Sequence, residues 1–528
     1  MTRAVVIGGG ISGLATAALL AREGHQVTLV EALDELGGRA GRWHSDGFTF
    51  DTGPSWYLMP EVFDHFFRLL GTSAAEQLDL IRLDPAYRVY FEGEQVPFDL
   101  PAEGARDALV SLDPAAADRL QRYLDSAADT YELATSTFLY STYESLRPLL
   151  TRRTLRGLPT LARLLSEPLD KRIRRHSDDA RVEKILGYPA VFLGTSPAKA
   201  PGMYHLMSHL DVNQGVLYPR GGFAAVIDAI AGLARAEGVE VRTGCRAARI
   251  TTRGGAVTGV DVAAADHPDG VREHLDADIV VSTADLHVTE QQLLDAEQRE
   301  HTEAWWAGRD PGPGAVLVLL GVRGELPQLA HHTLLFTRDW EEGFDAIYGR
   351  GRGGAGKRIP DPASLYVCRP SASDDVAPPG HENLFVLIPV PADTGIGAGG
   401  VDGTGDETVE RTADAAIEQI AAWCGIPDLR SRIVVRRTIG PADFERDFGA
   451  WQGGALGPAH TLRQSAFLRG ANASSKVDGL LYAGATTIPG IGLPMCLISA
   501  ELVVKRLRGD RSAGPLAEPP ATAPAGTR

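Results

Sequence analysis

The chain opens on the apolar, β-branched run Ala4-Val5-Val6-Ile7, which is typical of a buried parallel strand. A glycine-rich turn follows at once, and residues Ser12 to Glu23 then place small and apolar side chains on one helical face. Gly24 stands where a helix commonly ends in a left-handed residue. Val27 to Glu31 predicts a second strand. Together these segments predict one strand–turn–helix–strand unit at the N-terminus.

Similar patterns return much later in the chain. Phe223 to Glu237 predicts a helix, Val239 to Arg242 a strand, and Asp278 to Ser282 another buried strand. Leu480 to Gly484 predicts a further strand, followed by a Gly/Pro turn and a helix from Met495 to Arg508. We therefore expect an α/β protein with a Rossmann-like dinucleotide-binding domain assembled from discontinuous segments. The segments are 1–60, 216–300 and 436–510.

Two insertions separate these segments. The first, 61–215, predicts a helical insertion. The second, 301–435, has strand-like runs at Ala315 to Leu319 and Leu384 to Ile388 and predicts a mixed-sheet substrate domain. It also contains the Gly-rich stretch Gly349 to Gly356, which predicts a mobile loop. The tail 511–528 is rich in Pro, Ala and Gly and predicts disorder.

Composition narrows the class of protein. The chain has 528 residues, 44% of them hydrophobic and 23% charged, which is ordinary for a globular protein with two or more substructures. Its formal net charge of −16 argues against nucleic-acid binding, which usually needs a basic patch. No apolar run approaches the roughly 18 residues needed to span a bilayer. The four cysteines are far apart in the sequence, so we expect a cytoplasmic protein without disulfide bonds or a metal site.

The first chemistry-bearing motif is the turn Gly8-x-Gly10-x-x-Gly13. Its first glycine allows the tight turn, its second lets backbone N–H groups approach a pyrophosphate, and its third lets the helix pack against the strand. The helix N-terminus adds partial positive charge that favours phosphate. Glu31 ends the second strand, where an acid accepts hydrogen bonds from a ribose hydroxyl. The predicted cofactor-binding residues here are Gly8, Gly10, Ile11, Ser12, Gly13 and Glu31.

A second motif, Gly37-Gly38-Arg39-Ala40-Gly41-Arg42, lies just beyond Glu31. Glycines let the chain pass close to a cofactor, and a guanidinium pairs well with a phosphate oxygen. The alternative is a solvated basic loop. We favour cofactor binding by Gly38 and Arg39 because the motif directly follows a ribose-binding acid.

Two further turns carry candidate residues. Asp51-Thr52-Gly53-Pro54-Ser55 is by itself an ordinary turn. The run from Gly484 to Pro494 is a Gly/Pro turn between a buried strand and a helix, so it presents backbone N–H groups that suit the electron-rich edge of a reduced flavin. The alternative is a plain strand-to-helix loop. The candidates are Gly53, Pro54, Ser55, Gly484, Gly492 and Leu493.

With these motifs the sequence resembles the bacterial phytoene desaturases, which are carotenoid desaturases within the flavin amine oxidase superfamily. The resemblance runs from Arg3 to about Arg508. The block from Gly8 to Arg42 is shared across the superfamily. The more family-specific runs are Asp51 to Ser55, Gly215 to Phe223, His331-His332, Pro378 to Glu382 and Pro489 to Pro494.

The resemblance implies FAD as the cofactor and a long apolar isoprenoid as the substrate. In the family, hydrogens leave neighbouring saturated carbons, the flavin takes hydride, and an external acceptor such as a quinone or oxygen reoxidises it. The resemblance also implies that Ala247 belongs to a backbone clamp on the adenosine and that residues 282–284 lie near the pyrophosphate. His331 and His332 are candidate proton acceptors, but paired histidines at a strand edge explain them equally well, so no catalytic residue is named.

A substrate of this kind resides in the membrane, which directs attention to the basic segment from Arg147 to Arg175. It mixes Leu with Arg and Lys in an otherwise acidic protein, as an amphipathic segment at an anionic surface does. Pro159 and Pro168 predict that its helices are short. We expect the insertion 61–215 to face the membrane and the protein to lie peripherally on the inner face of the cell membrane. The alternative is a solvated helical face.

Other functions remain open on the same fold. The leading expectation is a desaturase for phytoene or a related acyclic carotene. A carotenoid isomerase, a hydroxycarotenoid desaturase and a ketolase are enzymatic alternatives. A non-enzymatic carrier of prenylated proteins, of the dissociation-inhibitor type, is an alternative from another class. A nicotinamide dehydrogenase is disfavoured because no second GxGxxG turn is present.

Overall fold

The computed structural model describes residues 2–145, 147–149, 152–268, 270–349 and 356–520. Most of the predicted mobile loop, residues 350–355, lies outside the described residues.

A five-stranded parallel sheet forms the centre of the nucleotide-binding part. Val5, on the first strand, pairs with Thr28 on one side and with Val280 on the other. The chain leaves this first strand in the middle of the sheet, where ligands bind outside the carboxyl ends of parallel strands. The glycine turn therefore lies at a topological switch point. In spatial order the strands are Leu480–Tyr482, Ile279–Ser282, Arg3–Ile7, Gln26–Val30 and Glu240–Arg242.

Layers of structure cover both faces of this sheet. On one face, three helices share a core in which Leu14, Ile227 and Leu502 are buried. On the other, a small antiparallel sheet contributes Ile250 and Val260 to a core with Val5. The helices are Ile11–Arg22, Gly222–Ala236 and Leu493–Arg508, and the small sheet is Cys245–Arg253, Ala256–Ala264 and Glu273–Asp276. The α/β fold with a discontinuous Rossmann-like domain is as predicted.

A seven-stranded mixed sheet forms the second part. Its neighbouring strands run antiparallel, except for the two strands that pair through Thr333 and Arg88, which run parallel. Two of its strands, Tyr87–Phe91 and Phe98–Leu100, come from the insertion predicted to be helical. The domain limits at 61–215 and 301–435 stay a prediction, and the sheet crosses them. In spatial order the strands are Ile433–Ile439, Pro313–Arg323, His381–Pro391, Leu365–Cys368, His332–Phe336, Tyr87–Phe91 and Phe98–Leu100.

The remaining elements are short pairs of strands and surrounding helices. Arg42–Ser45 pairs with Phe48–Asp51, and Leu80–Arg82 pairs with Leu217–Pro219. The helices are Pro60–Leu69, Ala74–Gln77, Ala105–Leu112, Ala117–Leu133, Arg152–Ser166, Leu169–Arg174, Ala180–Gly187, Leu286–Val288, Glu303–Ala307, Trp340–Tyr348, Glu407–Trp423, Leu429–Arg432 and Pro441–Phe448.

The basic segment differs from its prediction in one respect. Pro159 does not break a helix but lies inside Arg152–Ser166. Pro168 does separate two helices, since it stands directly before Leu169–Arg174. Across the described ranges, no helix combines the length and apolarity needed to cross a bilayer.

The first part of the tail that was predicted to be disordered packs against the protein instead. Leu516 is buried, and its N–H donates to Glu501 at 2.5 Å. The buried Lys505 donates to the carbonyls of Ser512 and Gly514, at 2.8 and 2.6 Å. A buried ammonium needs such partners, and composition did not reveal that the tail supplies them. Residues 521–528 of the tail lie outside the described residues.

Candidate active site

One cavity of about 1020 Å³ brings together motifs from both ends of the chain. Every predicted cofactor-binding residue except Gly13 lines it. They are Gly8, Gly10, Ile11, Ser12, Glu31, Gly38, Arg39, Gly53, Pro54, Ser55, Ala247, Gly484, Gly492 and Leu493.

Gly13 lies behind the cavity wall, where it lets the first helix approach the first strand. A Cβ atom built on Gly13 would stand 1.8 Å from the carbonyl oxygen of Gly8. Gly8 itself has a φ of +102°, which a residue with a side chain rarely adopts. Gly10 has open space where its Cβ would be, with Gly37 O as the nearest atom at 3.8 Å. The turn therefore leaves room for a ligand directly against its backbone.

Glu31 is buried at the end of the second strand and anchors two loops. One carboxylate oxygen accepts from the N–H of Gly9 at 2.5 Å, and the other accepts from the N–H of Leu33 at 2.7 Å. Each oxygen keeps a second lone pair, so the carboxylate can also accept from a hydroxyl in the cavity.

Arg39 brings a buried positive charge to the same cavity. Its Nε and Nη2 atoms are buried, and no described residue accepts a hydrogen bond from them. Burial lowers its pKa, while the nearby Asp285 opposes this shift. Burial raises the pKa of Asp285, and the positive charge of Arg39 opposes this shift. A buried guanidinium with unused donors fits an anionic ligand such as a pyrophosphate.

A buried arginine that the sequence analysis missed stabilises the backbone of the C-terminal turn. Arg469 donates to the carbonyls of Ala485 at 2.5 Å, Thr487 at 3.1 Å and Pro458 at 2.9 Å. Nearby, His460 accepts from the N–H of Ile491 at 3.0 Å. Nothing around Arg469 in sequence marks this role, because its partners are backbone carbonyls.

Beyond the glycine turns the cavity continues between apolar side chains. They come from the helix Arg152–Ser166, from the segment after Pro201 and from the seven-stranded sheet. Among them are Leu161, Leu165, Leu206, Leu317, Phe385 and Leu387. A long hydrocarbon is the kind of ligand that such walls accept.

The cavity reaches the surface beside an apolar rim. Leu462, Phe467 and Leu468 line the cavity and are also 49%, 64% and 44% exposed. We call these three residues the apolar rim. Isolated exposed apolar residues are ordinary, whereas these three also line the cavity, which makes the apolar rim a candidate contact surface.

The basic segment is only partly exposed. Arg172 is buried and donates to Ser126 at 2.8 Å, and a ring nitrogen of His205 lies 3.2 Å away. It therefore cannot serve as a cation at a membrane surface. Arg174 forms ion pairs with Glu183 and Glu341. Arg163 remains 64% exposed beside Glu167.

The residues around the cavity fit a flavin dinucleotide. A glycine turn without obstruction, an acid at the second strand and a guanidinium with unused donors are the parts that its ribose and pyrophosphate need. Thr283 and Ala284 also line the cavity, as expected for the pyrophosphate side, while Ser282 is buried behind them.

Comparison with known proteins identifies the family of the chain. Residues 11–508 match the model of the flavin containing amine oxidoreductase family. A carotenoid 3,4-desaturase from Haloarcula japonica is 38% identical and covers 96% of this chain and 98% of its own length. A zeta-carotene-forming phytoene desaturase from Myxococcus xanthus is 32% identical and covers 96% and 93%.

The fold recurs in solved structures of low sequence identity. An oxidoreductase from Methanosarcina mazei aligns with a TM-score of 0.59 at 15% identity, covering 95% of this chain and 100% of its own. The chain therefore belongs to the flavin containing amine oxidoreductases, as an FAD-dependent oxidoreductase of the carotenoid desaturase family.

Proposed function

We propose that this protein is a carotenoid desaturase that introduces double bonds into phytoene or a related acyclic carotene. One observation carries the proposal: the cavity lined by the glycine turns continues without interruption into an apolar compartment. Such a cavity can hold an apolar rod against the flavin and exclude water. The flavin, when bound, supplies hydride acceptance, so the protein needs no nucleophile of its own.

Five of the predicted site residues have a specific part in this proposal. Arg39 pairs with the pyrophosphate, Glu31 accepts from the ribose, and Ala247 lies along the adenosine. Gly484 and Gly492 lie beside the isoalloxazine. The support is that these residues line one cavity, and that Arg39 keeps unused donors there.

A second candidate is desaturation between carbons 3 and 4 of a carotenoid. It is favoured by the name of the Haloarcula japonica relative, a carotenoid 3,4-desaturase. A carotenoid isomerase, a hydroxycarotenoid desaturase and a ketolase stay alternatives without a specific observation in their favour. The non-enzymatic prenyl-protein carrier is disfavoured, because the chain belongs to a family of oxidoreductases.

Product analysis separates these candidates. The FAD-loaded protein is incubated in liposomes with phytoene, and in parallel with a conjugated acyclic carotene that is saturated between carbons 3 and 4. Chromatography with visible absorption then shows which substrate gains double bonds, since added conjugation shifts absorption to the red. A product with unchanged absorption and mass indicates isomerisation, and the absence of any product from both substrates contradicts desaturation.

We further propose that the apolar rim docks on the inner face of the cell membrane, so that the substrate passes directly into the cavity. The exposed cation Arg463 stands directly after Leu462 of the apolar rim, where it can contact anionic headgroups. An external acceptor, such as a quinone of the same membrane or oxygen, would reoxidise the flavin.

Vesicle co-sedimentation tests the docking. Burying a Phe or Leu side chain contributes about 1.5–3 kcal/mol, so Phe467→Asp with Leu468→Asp should weaken vesicle binding at least tenfold. Added salt should weaken binding by the wild type. Val96→Asp is the matched control, because Val96 is 77% exposed and is not among the described residues that line the cavity. Binding by the double variant equal to that of the control would rule out docking through the rim.

A further inference from the structure

A chain of hydrogen bonds leads from the apolar cavity into the seven-stranded sheet. Ser55 and Tyr366 both line the cavity, and their hydroxyl oxygens are 2.5 Å apart. The hydroxyl of Tyr366 lies 2.7 Å from Nδ1 of His332, which is fully buried. The ring of Trp56 stacks on that imidazole, with centroids 4.2 Å apart and planes 10° apart. The imidazole is therefore held in one orientation.

The chain continues towards the surface through the neighbouring histidine. Nε2 of His332 and Nε2 of His331 are both buried, and neither has a hydrogen-bond partner in the part of the chain that the structure describes. One ring nitrogen of each residue lies within 4.8 Å of one of the other, a gap that a single water molecule can bridge. Nδ1 of His331 lies 3.0 Å from Oγ of Ser373, which is partly exposed.

We propose that Ser55, Tyr366, His332, His331 and Ser373 form a relay that carries the proton released from the carotene out of the cavity. The inference rests on the proposed desaturase function. Each desaturation breaks two C–H bonds on neighbouring carbons. One hydrogen leaves as hydride to the flavin, the other leaves as a proton, and the electron pair of the second C–H bond becomes the new π bond. The proton needs an exit, because a long apolar substrate fills the mouth of the cavity.

The hydrogen-bond directions along the relay are consistent. Ser55 Oγ accepts the proton and passes its own to Tyr366, and Tyr366 donates to Nδ1 of His332. Within the proposed relay, a water molecule between the two rings would carry the proton from Nε2–H of His332 to Nε2 of His331. Nδ1–H of His331 then donates to Ser373, which loses its proton to solvent. One passage leaves each imidazole in its other tautomer, and the relay is ready again once both tautomers have been restored.

The electrostatic surroundings keep both imidazoles able to pass a proton on. Burial lowers the pKa of His331 to about 3, and Arg369 adds to this effect while Asp374 opposes it. Burial also lowers the pKa of His332, as does the neighbouring His331. Both rings are therefore neutral at neutral pH and do not trap the proton.

Single-turnover reduction of the flavin by an acyclic carotene, without oxygen, tests the relay. Tyr366→Phe keeps the ring but removes the linking hydroxyl, and it should slow flavin reduction by about 10²-fold or more, the usual contribution of a positioned proton acceptor. Ser55→Ala interrupts the relay at the cavity end, and it replaces Tyr366→Phe in the test if that variant does not fold. Tyr90→Phe is the control, because its buried hydroxyl bonds to Gln328 O at 2.8 Å in the same sheet, away from the relay.

The solvent isotope effect distinguishes a relay from a structural role. The relay hydrogens exchange with solvent and the carotene hydrogens do not, so reduction of the wild type should be slower in D₂O. Tyr366→Phe should lose this dependence, while the Tyr90→Phe control should keep it. Wild-type reduction rates in a FAD-loaded Tyr366→Phe or Ser55→Ala variant would overturn the relay and leave the desaturase function standing. A wild-type protein whose flavin is never reduced by carotene would overturn both.

Discussion

The carboxylate of Asp51 accepts a hydrogen bond of 2.8 Å from the backbone N–H of Phe223, which is 172 residues away in the sequence. It also accepts from the N–H of Ala224 at 3.3 Å, so it caps the helix Gly222–Ala236. Directly after Asp51, the run from Thr52 to Ser55 lines the cavity. The start of the helix and the wall of the cavity are therefore fixed by one side chain.

Removing this cap should destabilise the protein. Asp51→Ala leaves two buried N–H donors without their acceptor, which costs about 1–3 kcal/mol. Asp51→Asn keeps one acceptor oxygen and should lose less. Chemical denaturation of both variants measures the difference, and equal stability of Asp51→Ala and wild type would contradict the capping role.

Gly13 should not tolerate even one added methyl group. Gly13→Ala would place Cβ 1.8 Å from a backbone oxygen of Gly8, so the turn must shift and we expect lower thermal stability and weaker FAD retention. Gly232→Ala is the control. Gly232 lies in the helix Gly222–Ala236, and a Cβ atom there would meet nothing within 4 Å. Alanine at this position should therefore stabilise the helix by about 0.5–1 kcal/mol. The two melting temperatures should move in opposite directions, and a shift in the same direction contradicts the packing argument.

Arg39 should govern FAD affinity. Its unused donors can form charge-assisted hydrogen bonds, each contributing about 1.5–3 kcal/mol, so Arg39→Met should weaken FAD binding by at least about tenfold for each bond that is lost. Arg42→Met is the control from the same glycine-rich motif, since Arg42 pairs with Asp228 and is not among the described lining residues. Titration of the apoprotein with FAD gives both affinities. An Arg39→Met variant that binds FAD as tightly as the control would show that Arg39 does not contact the cofactor.

Acid should destabilise the protein partly through His205. Burial lowers its pKa to about 3, with a further contribution from Arg172, whereas an unfolded histidine has a pKa of about 6.5. Between these values the unfolded state binds the proton and the folded state does not, so the free energy of unfolding falls as the pH falls. His205→Gln should flatten this dependence by up to about 1.4 kcal/mol per pH unit. His267→Gln, at an exposed histidine, should leave it unchanged, and identical slopes in both variants would refute the assignment.

The N-terminal elements and the C-terminal turn could be predicted from the sequence, because neighbouring residues in the chain specify them. The glycine turn, its flanking strands and the first helix lie within the first thirty-one residues, and periodicity with turn chemistry specifies them. The C-terminal turn after Tyr482 was recognised in the same way.

The long-range parts were not predictable from one sequence. The strand Tyr87–Phe91 joins the mixed sheet beside His332–Phe336, and no local pattern encodes that pairing. Arg469 acts on backbone carbonyls, which leave no trace in residue type. Pro159 is accommodated within a helix against local propensity. The residue type of Leu516 alone did not predict that the tail would pack against the protein.

The stoichiometry of flavin reduction tests the proposed desaturase function most directly. FAD-loaded protein is mixed, without oxygen, with phytoene or another acyclic carotene in vesicles, and flavin absorbance and carotene conjugation are followed together. If the protein is a carotenoid desaturase, the oxidised flavin spectrum is lost and one new double bond appears for each flavin reduced. A flavin that stays oxidised with every acyclic carotene, or new conjugation without flavin reduction, would contradict the proposed function.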